Sequence, residues 1–511
     1  MSIHPRGFVY LVGAGPGDPR LITLRAIECL QQAEVVIHDR LLNPSLLAYA
    51  PQAEIIDAAQ EPEVHPRPQD QITALLVAKA LEGKVVVRLK GGDPLVFGRG
   101  GEEALALAEA GVPFKIVPGV TSATAVPTYA GIPITQRGVA SSLSVVAGQN
   151  IDDASALDWP HIAHGADTLV FLMAVQTLPY IVERLLAEGR APGTPVAVVE
   201  RGTHPKQKTV TGTLVDIVTR AAGLRAPATI IVGEAVALRE KLRWFDRPDL
   251  YPLFGLRVLN TQPATEAGEL SRELEALGAE VLDAPTTQAW PVADYGPLDR
   301  ALSRLIHRGT ITLPYDWVLF ADADAISAFM ARLMDQGGDV RALGAVKVGA
   351  VGAGGAAALR AYGLIPDFTV AQLTAPGLAG HTGRLVRQRL LLLVGEGARP
   401  EPVVTLAAKG AEVEAVAAYG MGPARPNQPM LDMLRAGDID VAVFFSPDAL
   451  HGLARMLDDC PLSQALASVT VVCAGTDTAK AALESGVRVE VMPEEQTAAA
   501  VAAALAAFRG R

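Results

Sequence analysis

The stretch that decides the fold of the N-terminal half is VRLKGGDPLVFGRGGEE, residues 87–103. It takes in the end of a near-continuous apolar run, Val85–Leu89, which predicts a buried strand of a parallel sheet. A Gly-Gly-Asp-Pro turn follows, and a glycine-rich loop then leads into a segment with helical spacing, Glu102–Ala110. Because glycine lets the backbone approach a ligand closely, the loop predicts a site where Asp93 and backbone groups hold a polar, cationic cofactor.

Strand-sized and helix-sized segments alternate on both sides of this stretch. Residues Gln69–Leu81, for example, have helical spacing. The alternation predicts an α/β protein with largely parallel sheets. Further buried strands are predicted at Phe8–Val12, Val35–His38, Thr168–Met173 and Thr229–Val232.

The length of the chain predicts more than one domain. Its 511 residues exceed what one hydrophobic core holds and correspond to roughly three domains. Residues 246–254 contain two prolines and show no periodicity, so we interpret them as a linker between domains over 1–245 and 255–511.

Composition and charge exclude several classes of protein. The mean hydropathy is high, +0.27, but no apolar run approaches the roughly 18 residues that a spanning helix needs. The start of the chain does not have the pattern of a signal peptide. A net charge of −11 disfavours a nucleic-acid binder. The three cysteines show neither pairing nor metal-like spacing. We therefore expect a cytoplasmic protein that binds neither nucleic acid nor a membrane and holds no metal.

The C-terminal half contains an internal repeat. The segment DWVLFADADA, residues 316–325, is echoed by DVAVFFSPDA, residues 440–449. A turn with glycine follows each copy, at residues 352–356 and 475–479. The repeat predicts two similar α/β lobes with a cleft between them, where ligands commonly bind.

Three more motifs accompany the opening stretch. The first predicted strand runs into GAGPGD, residues 13–18, which has Asp18 where a dinucleotide-binding turn needs glycine. The motifs VPGVTSA, residues 117–123, and GIPITQR, residues 131–137, follow later. In the order and spacing of these motifs, residues 7–240 resemble the tetrapyrrole methyltransferases, and within that family uroporphyrinogen-III C-methyltransferase.

The resemblance implies S-adenosylmethionine as the cofactor, bound in a cleft between two α/β lobes and released as S-adenosylhomocysteine. Carried over position by position, it also implies the residues that contact this cofactor. They are Pro16, Gly91, Gly92, Asp93, Val96, Thr121, Ser122, Met173, Gly202 and Ala228.

The implied substrate is a reduced tetrapyrrole that carries many carboxylates. Arg99 and Arg137 match the substrate-binding arginines of the family, and arginine binds carboxylates by paired hydrogen bonds. Glu102 lies on the same loop and helix as Arg99 and is included in this substrate site.

Asp39 matches the proposed proton acceptor of the family. A capping or ion-pairing role for this residue is the alternative. The usual partner, a lysine about twenty residues later, is replaced by Gln60, which cannot offset the charge of a carboxylate. We hypothesise that Arg67 or His65 compensates.

The duplicated lobes, about residues 255–508, resemble uroporphyrinogen-III synthase, which closes linear hydroxymethylbilane into a ring without a cofactor. The resemblance places residues 255–288 and 425–511 in lobe 1 and residues 289–424 in lobe 2. Tyr419, which follows a predicted strand over Glu412–Ala418, matches the side chain that assists loss of the substrate hydroxyl, although a packing role fits equally well. The positions that bind substrate carboxylates are matched by Ser446, Thr476 and Thr478.

Several positions of this half depart from the synthase pattern. Gln262 replaces an arginine, and Asp322 and Asp324 stand in a turn that normally holds threonine and serine. Each close pair between such an aspartate and a substrate carboxylate costs on the order of 1 kcal/mol or more. We therefore hypothesise that the synthase half is weakened or has become a scaffold.

Together these patterns predict a fusion of two consecutive tetrapyrrole enzymes that makes precorrin-2 from uroporphyrinogen III. The resemblance also implies a homodimer through the methyltransferase half. Two alternatives stay open: a methylase of another tetrapyrrole intermediate, which Gln60 favours, and a non-catalytic tetrapyrrole-binding protein, which the departures at Gln60, Gln262, Asp322 and Asp324 favour.

Overall fold

The computed structural model describes residues 7–39, 42–58, 69–148, 157–306, 314–370, 385–398, 400–458 and 460–510. The chain divides into two compact units. One comprises Met1–Leu256 with Leu277–Glu280, and the other Arg257–Ala276 with Val281–Arg511. The segment 246–254, interpreted above as a linker, groups with the first unit, and Leu253 within it is fully buried. Among the described residues, no helix is long and apolar enough to cross a membrane.

The first sheet of the N-terminal unit is parallel throughout, in the order β3-β2-β4-β1-β5. Its central strands are apolar and buried, as the sequence predicts, and helices cover both faces. The strands are β1 (Phe8–Gly13), β2 (Val35–His38), β3 (Glu54–Asp57), β4 (Val85–Lys90) and β5 (Phe114–Val117). The helices are α1 (Leu24–Gln32), α2 (Gln69–Leu81), α3 (Gly100–Glu109) and α4 (Ser122–Tyr129), with 3-10 turns at Pro19–Leu21 and Pro44–Tyr49.

The second sheet of this unit, in the order β6-β7-β10-β8-β9, departs from the expected parallel arrangement. Only β6 and β7 pair in parallel, because the short connection over residues 201–207 joins β8 to β9 as a hairpin. Its strands are β6 (Leu143–Ala147), β7 (Thr168–Leu172), β8 (Pro195–Glu200), β9 (Lys208–Thr213) and β10 (Ala228–Val232). Its helices are α5 (Trp159–His164), α6 (Leu178–Ala187), α7 (Ile217–Arg220) and α8 (Arg239–Leu242), with a 3-10 turn at Glu234–Leu238.

The C-terminal unit contains a four-stranded sheet in the order β12-β11-β19-β20. Strands from the start and the end of this unit share the sheet, and β11, β19 and β20 are parallel. The strands are β11 (Arg257–Asn260), β12 (Glu280–Asp283), β19 (Val441–Phe444) and β20 (Thr470–Cys473). The helices with this sheet are α9 (Ala267–Ala276), α14 (Gln428–Arg435), α15 (Pro447–Met456), α16 (Leu462–Ala465), α17 (Thr476–Glu484) and α18 (Ala498–Arg509).

A six-stranded sheet, β13-β18-β17-β14-β15-β16, lies between these strands in the chain. All its pairings are parallel except that of β13 with β18. The strands are β13 (Thr287–Pro291), β14 (Trp317–Phe320), β15 (Lys347–Val351), β16 (Phe368–Val370), β17 (Arg389–Gly395) and β18 (Glu412–Pro423). The helices are α10 (Gly296–Ile306), α11 (Ala323–Asp335), α12 (Gly352–Ala361) and α13 (Glu401–Ala408), with a 3-10 turn at Val340–Leu343.

The sequence repeat is also a structural repeat. In each copy a buried strand, β14 or β19, is followed by a helix whose N-cap side chain accepts an N–H three residues later. The cap is Asp322 in the first copy and Ser446 in the second. Each copy then pairs in parallel with the next strand, β15 or β20, so that equivalent loops leave equivalent edges of the two sheets.

Candidate functional site

Predicted site residues of the N-terminal unit meet at the carboxyl edge of the first sheet. Because its strands are all parallel, the loops that follow β1, β2, β4 and β5 leave at this edge, where open α/β sheets bind ligands. Pro16 follows β1 and Asp39 follows β2. The other predicted residues at this edge are Gly91, Gly92, Asp93 and Val96 after β4, and Thr121 and Ser122 after β5.

Glycines bring three of these loops into direct backbone contact. The N–H of Gly92, which has φ +66°, donates to the carbonyl of Gly15 at 2.8 Å. A Cβ on Gly13 would lie 2.6 Å from the Cα of Gly119, so neither loop tolerates a side chain there. The carboxylate of Asp93 accepts the N–H of Gly119 at 3.1 Å. The loops therefore form a floor made mostly of backbone.

This floor fits the S-adenosylmethionine that the resemblance implies. A Cβ on Gly91 would meet nothing within 4 Å, so the space over it is open to a ligand. Backbone groups and the half-buried hydroxyls of Thr121 and Ser122 offer hydrogen-bonding partners to a nucleoside and an amino acid. Val96, partly exposed, adds apolar surface.

The predicted cofactor residues of the second sheet also share one edge. Strand β10 runs antiparallel to its neighbours, so its first residue, Ala228, pairs with Glu200 at the end of β8. Met173 follows the end of β7 with φ +55° and is half-exposed. Gly202 follows β8, and a Cβ there would lie 2.4 Å from the side chain of Val126. Close packing therefore explains this glycine without a ligand.

Asp18 ties the loop after β1 to the second sheet. Its N–H donates to Oγ1 of Thr203 at 3.1 Å, and the hydroxyl of Tyr129 donates to its Oδ2 at 2.9 Å. Burial, followed by the charge of Asp18, raises the pKa of Tyr129. The first bond holds together the two loops that carry Pro16 and Gly202, and the second holds the loop of Pro16 against α4. The aspartate that breaks the dinucleotide pattern thus has a structural role.

A buried network of charged side chains lies behind Asp39. Arg88 pairs through Nη2 with Oδ1 of Asp39, and its Nε donates to Oε1 of Glu103 at 3.0 Å. Nζ of Lys90 and Nε2 of Gln69 donate to the same oxygen, each at 3.0 Å. Arg88, Lys90 and Glu103 are at most 2% exposed. Their burial requires pairing, since an unpaired charge in the interior is very costly.

Burial and charge pairing act in opposite directions on the two cations of this network. Burial alone would lower the pKa of Arg88, but Asp39 and Glu103 outweigh it and raise that pKa. For Lys90, burial and then the charge of Arg88 lower the pKa in spite of Glu103. Arg88 therefore stays charged beside Asp39, and Lys90 gives up its proton more readily than a lysine in water.

The second oxygen of Asp39 faces a different environment. Oδ2 accepts the N–H of Gly91 at 3.4 Å, a long bond, and 35% of the side chain is exposed. A carboxylate placed at the ligand-binding edge of the sheet is able to accept a proton from a bound substrate. Because Asp39 forms an ion pair with Arg88, the ion-pairing alternative stays open beside a role as proton acceptor.

The loop after Asp93 offers a mixed apolar and cationic surface. Leu95, Val96 and Phe97 are consecutive exposed apolar side chains. Phe97 and Arg99 have φ +54° and +57°, which is rare outside glycine and typical of functional loops. Arg99 pairs with Glu102 at 2.6 Å, and both are more than half exposed. Such a surface pair contributes little, so a substrate carboxylate is able to replace it.

The other predicted residues near this site are placed as follows. Arg137 is exposed in the turn that follows α4. Gln60, Arg67 and His65 lie outside the described residues. Among the described residues, Arg88 is the cation that pairs with Asp39, and the hypothesis for Arg67 or His65 stays a prediction.

In the C-terminal unit, parallel strands bring the predicted carboxylate-binding loops to one edge. Ser446 follows β19 and Thr476 follows β20, while Gln262 follows β11 in the same sheet. The hydroxyl of Ser446 accepts the N–H of Ala449 at 3.2 Å. Thr476 is exposed, but Thr478 is only 2% exposed and thus less accessible to a substrate.

Tyr419 lies within a strand rather than after one. Strand β18 continues beyond Ala418 because its second half pairs antiparallel with β13, where Pro291 is opposite Tyr419. The side chain of Tyr419 is buried, and its hydroxyl donates to Oδ2 of Asp322 at 2.8 Å. Burial, and then the charge of Asp322, raise the pKa of Tyr419. The hydroxyl is thus engaged in a packing arrangement.

Asp322, Asp324 and Glu266 form what we name the acidic cluster. Asp324 accepts the hydroxyl of Thr265 at 3.2 Å. Burial and the charge of Asp322 raise the pKa of Asp324. The pKa of Glu266, whose side chain still reaches solvent, is raised by the surrounding protein atoms and then by both aspartates. The carboxylates of the acidic cluster therefore repel one another.

Sequence reasoning missed the buried network and the Asp18 contacts. The signal for the first was present: Arg88 and Lys90 interrupt an otherwise apolar strand, and buried cations require carboxylate partners. Glu103, which follows the glycine-rich loop, is that partner. No sequence pattern placed Thr203 or Tyr129 against Asp18, since these contacts join residues far apart in the chain.

Comparisons with known proteins divide the chain in the same way. Residues 9–218 match the tetrapyrrole (corrin/porphyrin) methylases, and residues 268–503 match the uroporphyrinogen-III synthase HemD family. The porphyrin biosynthesis protein HemD of Ruminiclostridium josui is 36% identical over 500 residues, which cover 96% of this chain and 96% of that protein.

Other relatives match the N-terminal half alone. The siroheme synthase of Pseudomonas putida (strain W619) is 49% identical over 247 residues, 48% of this chain and 53% of that protein. The match thus spans about half the length of that relative. Among solved structures, the uroporphyrin-III-C-methyltransferase from Thermus thermophilus matches with 47% identity and a TM-score of 0.41, over 46% of this chain and 99% of that one.

Proposed function

Because this chain belongs to the family of the porphyrin biosynthesis protein HemD, we propose that it methylates uroporphyrinogen III with S-adenosylmethionine and that its C-terminal half supplies this substrate. Two methyl transfers give precorrin-2. The C-terminal half closes hydroxymethylbilane to uroporphyrinogen III. The observation that carries the proposal is the carboxylate of Asp39 at the edge where the glycine-rich loops meet.

The chemistry requires a positioned base and a dry, ordered site. The cofactor supplies an electrophilic methyl group on a sulfonium; a carbon–sulfur bond breaks while a carbon–carbon bond forms to the pyrrole. Asp39 accepts the proton lost from the pyrrole. Arg99 and Arg137 bind carboxylates of the substrate. Approach and orientation at the glycine floor account for much of the rate enhancement.

The residues predicted to contact the cofactor extend over both sheets of the N-terminal unit. We assign to them the roles that the resemblance implies, with Gly91, Gly92 and Asp93 at the centre. We further propose a cytoplasmic enzyme that acts as a homodimer through the N-terminal half. Its partners are then a small tetrapyrrole and a second copy of the chain, with neither nucleic acid nor a membrane involved.

An anaerobic assay with uroporphyrinogen III and S-adenosylmethionine tests the methylase. We expect the substrate to gain two methyl groups, measured by mass spectrometry of the full-length chain's product. A chain that binds the cofactor and transfers no methyl group would support the non-catalytic alternative instead.

A second candidate applies to the C-terminal half: a synthase-like scaffold without ring-closing activity. The acidic cluster favours it, since the resemblance implies that a polycarboxylate substrate binds at the turn that holds Asp322 and Asp324, and the hydroxyl of Tyr419 already donates to Asp322. Hydroxymethylbilane given to the full chain without the methyl donor separates the two. Type III product indicates a synthase; only the type I product of spontaneous closure indicates a scaffold.

A further inference from the structure

One carboxylate of the buried network has no assigned task. Glu103 is fully buried near the start of α3, and its Oε1 accepts hydrogen bonds from Arg88, Lys90 and Gln69. Within the described residues, its Oε2 is buried without a hydrogen-bond partner. Such an oxygen is costly, and a purely structural ion pair would gain from satisfying it. The arrangement concentrates three donors, with Arg88 among them, on a single oxygen.

Arg88 is fixed on every side. Its Nε bonds to Glu103, its Nη2 to Asp39, and its Nη1 lies 3.3 Å from the carbonyl of Ile37 and 3.4 Å from that of Leu89. A guanidinium with its donors directed this way cannot turn without losing charged bonds in the interior. Arg88 therefore fixes the position of the Asp39 carboxylate from the core side of the sheet.

We propose that Glu103 is a positioning residue for methyl transfer: it anchors Arg88, which orients Asp39 and neutralises its charge toward an anionic substrate. This inference rests on the proposed function, because it takes Asp39 as the proton acceptor. Asp39 needs a neutralising cation for an electrostatic reason. A substrate rich in carboxylates approaches Asp39, and repulsion between unit charges at contact distance is about 1 kcal/mol even in water.

Arg88 cancels this repulsion only while it stays in place. Without Glu103 its guanidinium would keep one anionic partner, Asp39, and would be free to move toward the substrate carboxylates. The charge required opposite Asp39 thus comes from the core of the sheet in this chain, whose Gln60 lacks a positive charge.

The first experiment compares Glu103→Gln with wild type in the methylation of uroporphyrinogen III. Glutamine keeps the shape and one acceptor but removes the charge. We expect kcat to fall about 10- to 100-fold, since a misplacement of about 1 Å costs this much, with KM for S-adenosylmethionine changed less than two-fold. We also expect the pH–rate profile to differ from that of wild type, because the variant changes both the charge behind Arg88 and the position of Arg88 beside Asp39.

A matched control removes a buried carboxylate charge elsewhere in the same unit. Arg239 pairs with Asp246, and both are nearly buried. Asp246→Asn should lower thermal stability to a similar extent and leave kcat and the pH–rate profile unchanged. If Glu103 has a purely structural role, Glu103→Gln should also lower stability and leave kcat and the pH–rate profile unchanged. That result would overturn the proposal.

A second variant separates anchoring from folding. Glu103→Leu combined with Lys90→Met removes one charge of each sign, so that Arg88 and Asp39 remain a balanced pair. We expect this variant to fold with a melting temperature near that of wild type and to have a kcat at least 10-fold below that of wild type. Wild-type kcat in this folded variant would refute the anchoring role.

Asp39→Asn distinguishes failure of the inference from failure of the proposed function. If Asp39→Asn abolishes methylation while both Glu103 variants leave kcat unchanged, only the inference is wrong. If Asp39→Asn leaves methylation unchanged, Asp39 is not the proton acceptor and the inference is wrong, while the proposed methylation stands. A wild-type chain that transfers no methyl group would overturn the proposed function itself.

Discussion

The two halves of this chain treat the carboxylates near their predicted sites in opposite ways. In the N-terminal unit, Glu103 is fully buried and shares its oxygen between Arg88 and Lys90. In the acidic cluster of the C-terminal unit, the side chains still reach solvent, and burial, followed by the charge of Asp322, raises the pKa of Asp324. Both arrangements follow parallel strands and lie near the edge where ligands are expected.

The difference indicates what each site is able to hold. A carboxylate neutralised by buried cations leaves the site edge open to an anionic substrate. Among the described residues, the acidic cluster has no ion pair with a cation, so its charges raise the electrostatic cost of binding such a substrate. The surroundings of Asp39 therefore suit a polycarboxylate tetrapyrrole better than the acidic cluster does.

The largest expected effect is at Asp39. Asp39→Asn should lower methylation of uroporphyrinogen III by about 100- to 10,000-fold, the usual contribution of a general base. Binding of S-adenosylmethionine, followed by calorimetry, serves as the control and should be retained. Unchanged turnover would show that Asp39 is not the proton acceptor. The neutralisation of Asp39 by Arg88 would then have no role in methyl transfer.

The next effect concerns the stability of the buried network around Arg88 and Lys90. Glu103→Leu leaves Arg88 and Lys90 without their shared partner, which should cost about 3–5 kcal/mol of the free energy of unfolding. Calorimetry of the full chain measures it. A loss below 1 kcal/mol would mean that the buried network is not a mutually dependent set of charges.

Removing a carboxylate from the acidic cluster should stabilise the folded protein, whereas removing Glu103 should destabilise it. The pKa of Asp324 is raised above its ordinary value of 3.8, so the folded state holds this proton more tightly than the unfolded chain does. The stability it contributes is complete below about pH 4 and is lost as pH rises through the folded-state pKa.

At neutral pH the charge on Asp324 therefore opposes folding. Asp324→Asn should increase the free energy of unfolding at pH 7 and weaken its decline above pH 4, because asparagine carries no charge that opposes folding. Thermal unfolding measured across pH 4–8 checks both. Destabilisation at pH 7 would show that the acidic cluster is held by partners of its own.

A further effect is expected where the loop after β1 contacts helix α4. Tyr129→Phe removes the hydrogen bond to Asp18 and should cost about 1.5–3 kcal/mol of stability, the usual range for a bond to a charged group. We also expect a few-fold rise in KM for S-adenosylmethionine, because this bond holds the loop of Pro16 against α4. A loss of stability with unchanged KM would show that the Tyr129–Asp18 bond does not affect cofactor binding.

Local patterns predicted the strands and the site edge well. The apolar runs ending at Val12, His38 and Leu89 end within a residue of the observed strands β1, β2 and β4. Parallel pairing then explains why Asp39 and the glycine loops meet. The strand order of the second sheet was not predictable in this way, because a hairpin through residues 201–207 reverses the direction of its strands.

Contacts between distant residues account for what sequence reasoning did not find. The predicted end of β18 at Ala418 was too early because pairing with β13 extends the strand through Tyr419 to Pro423. The role of Asp322 as both helix cap and partner of Tyr419 likewise depends on tertiary packing. The sequence shows which positions carry charged residues, but their partners depend on tertiary contacts that local patterns do not reveal.

The most direct measurement is an anaerobic incubation of the full chain with hydroxymethylbilane and S-adenosylmethionine, with products resolved by mass and isomer. We predict a dimethylated product of type III, which requires both halves to act in sequence. Dimethylated type I product would keep the methylase and make the acidic half a scaffold. Unmethylated uroporphyrinogen would contradict the central claim that the Asp39 edge is a methyl-transfer site.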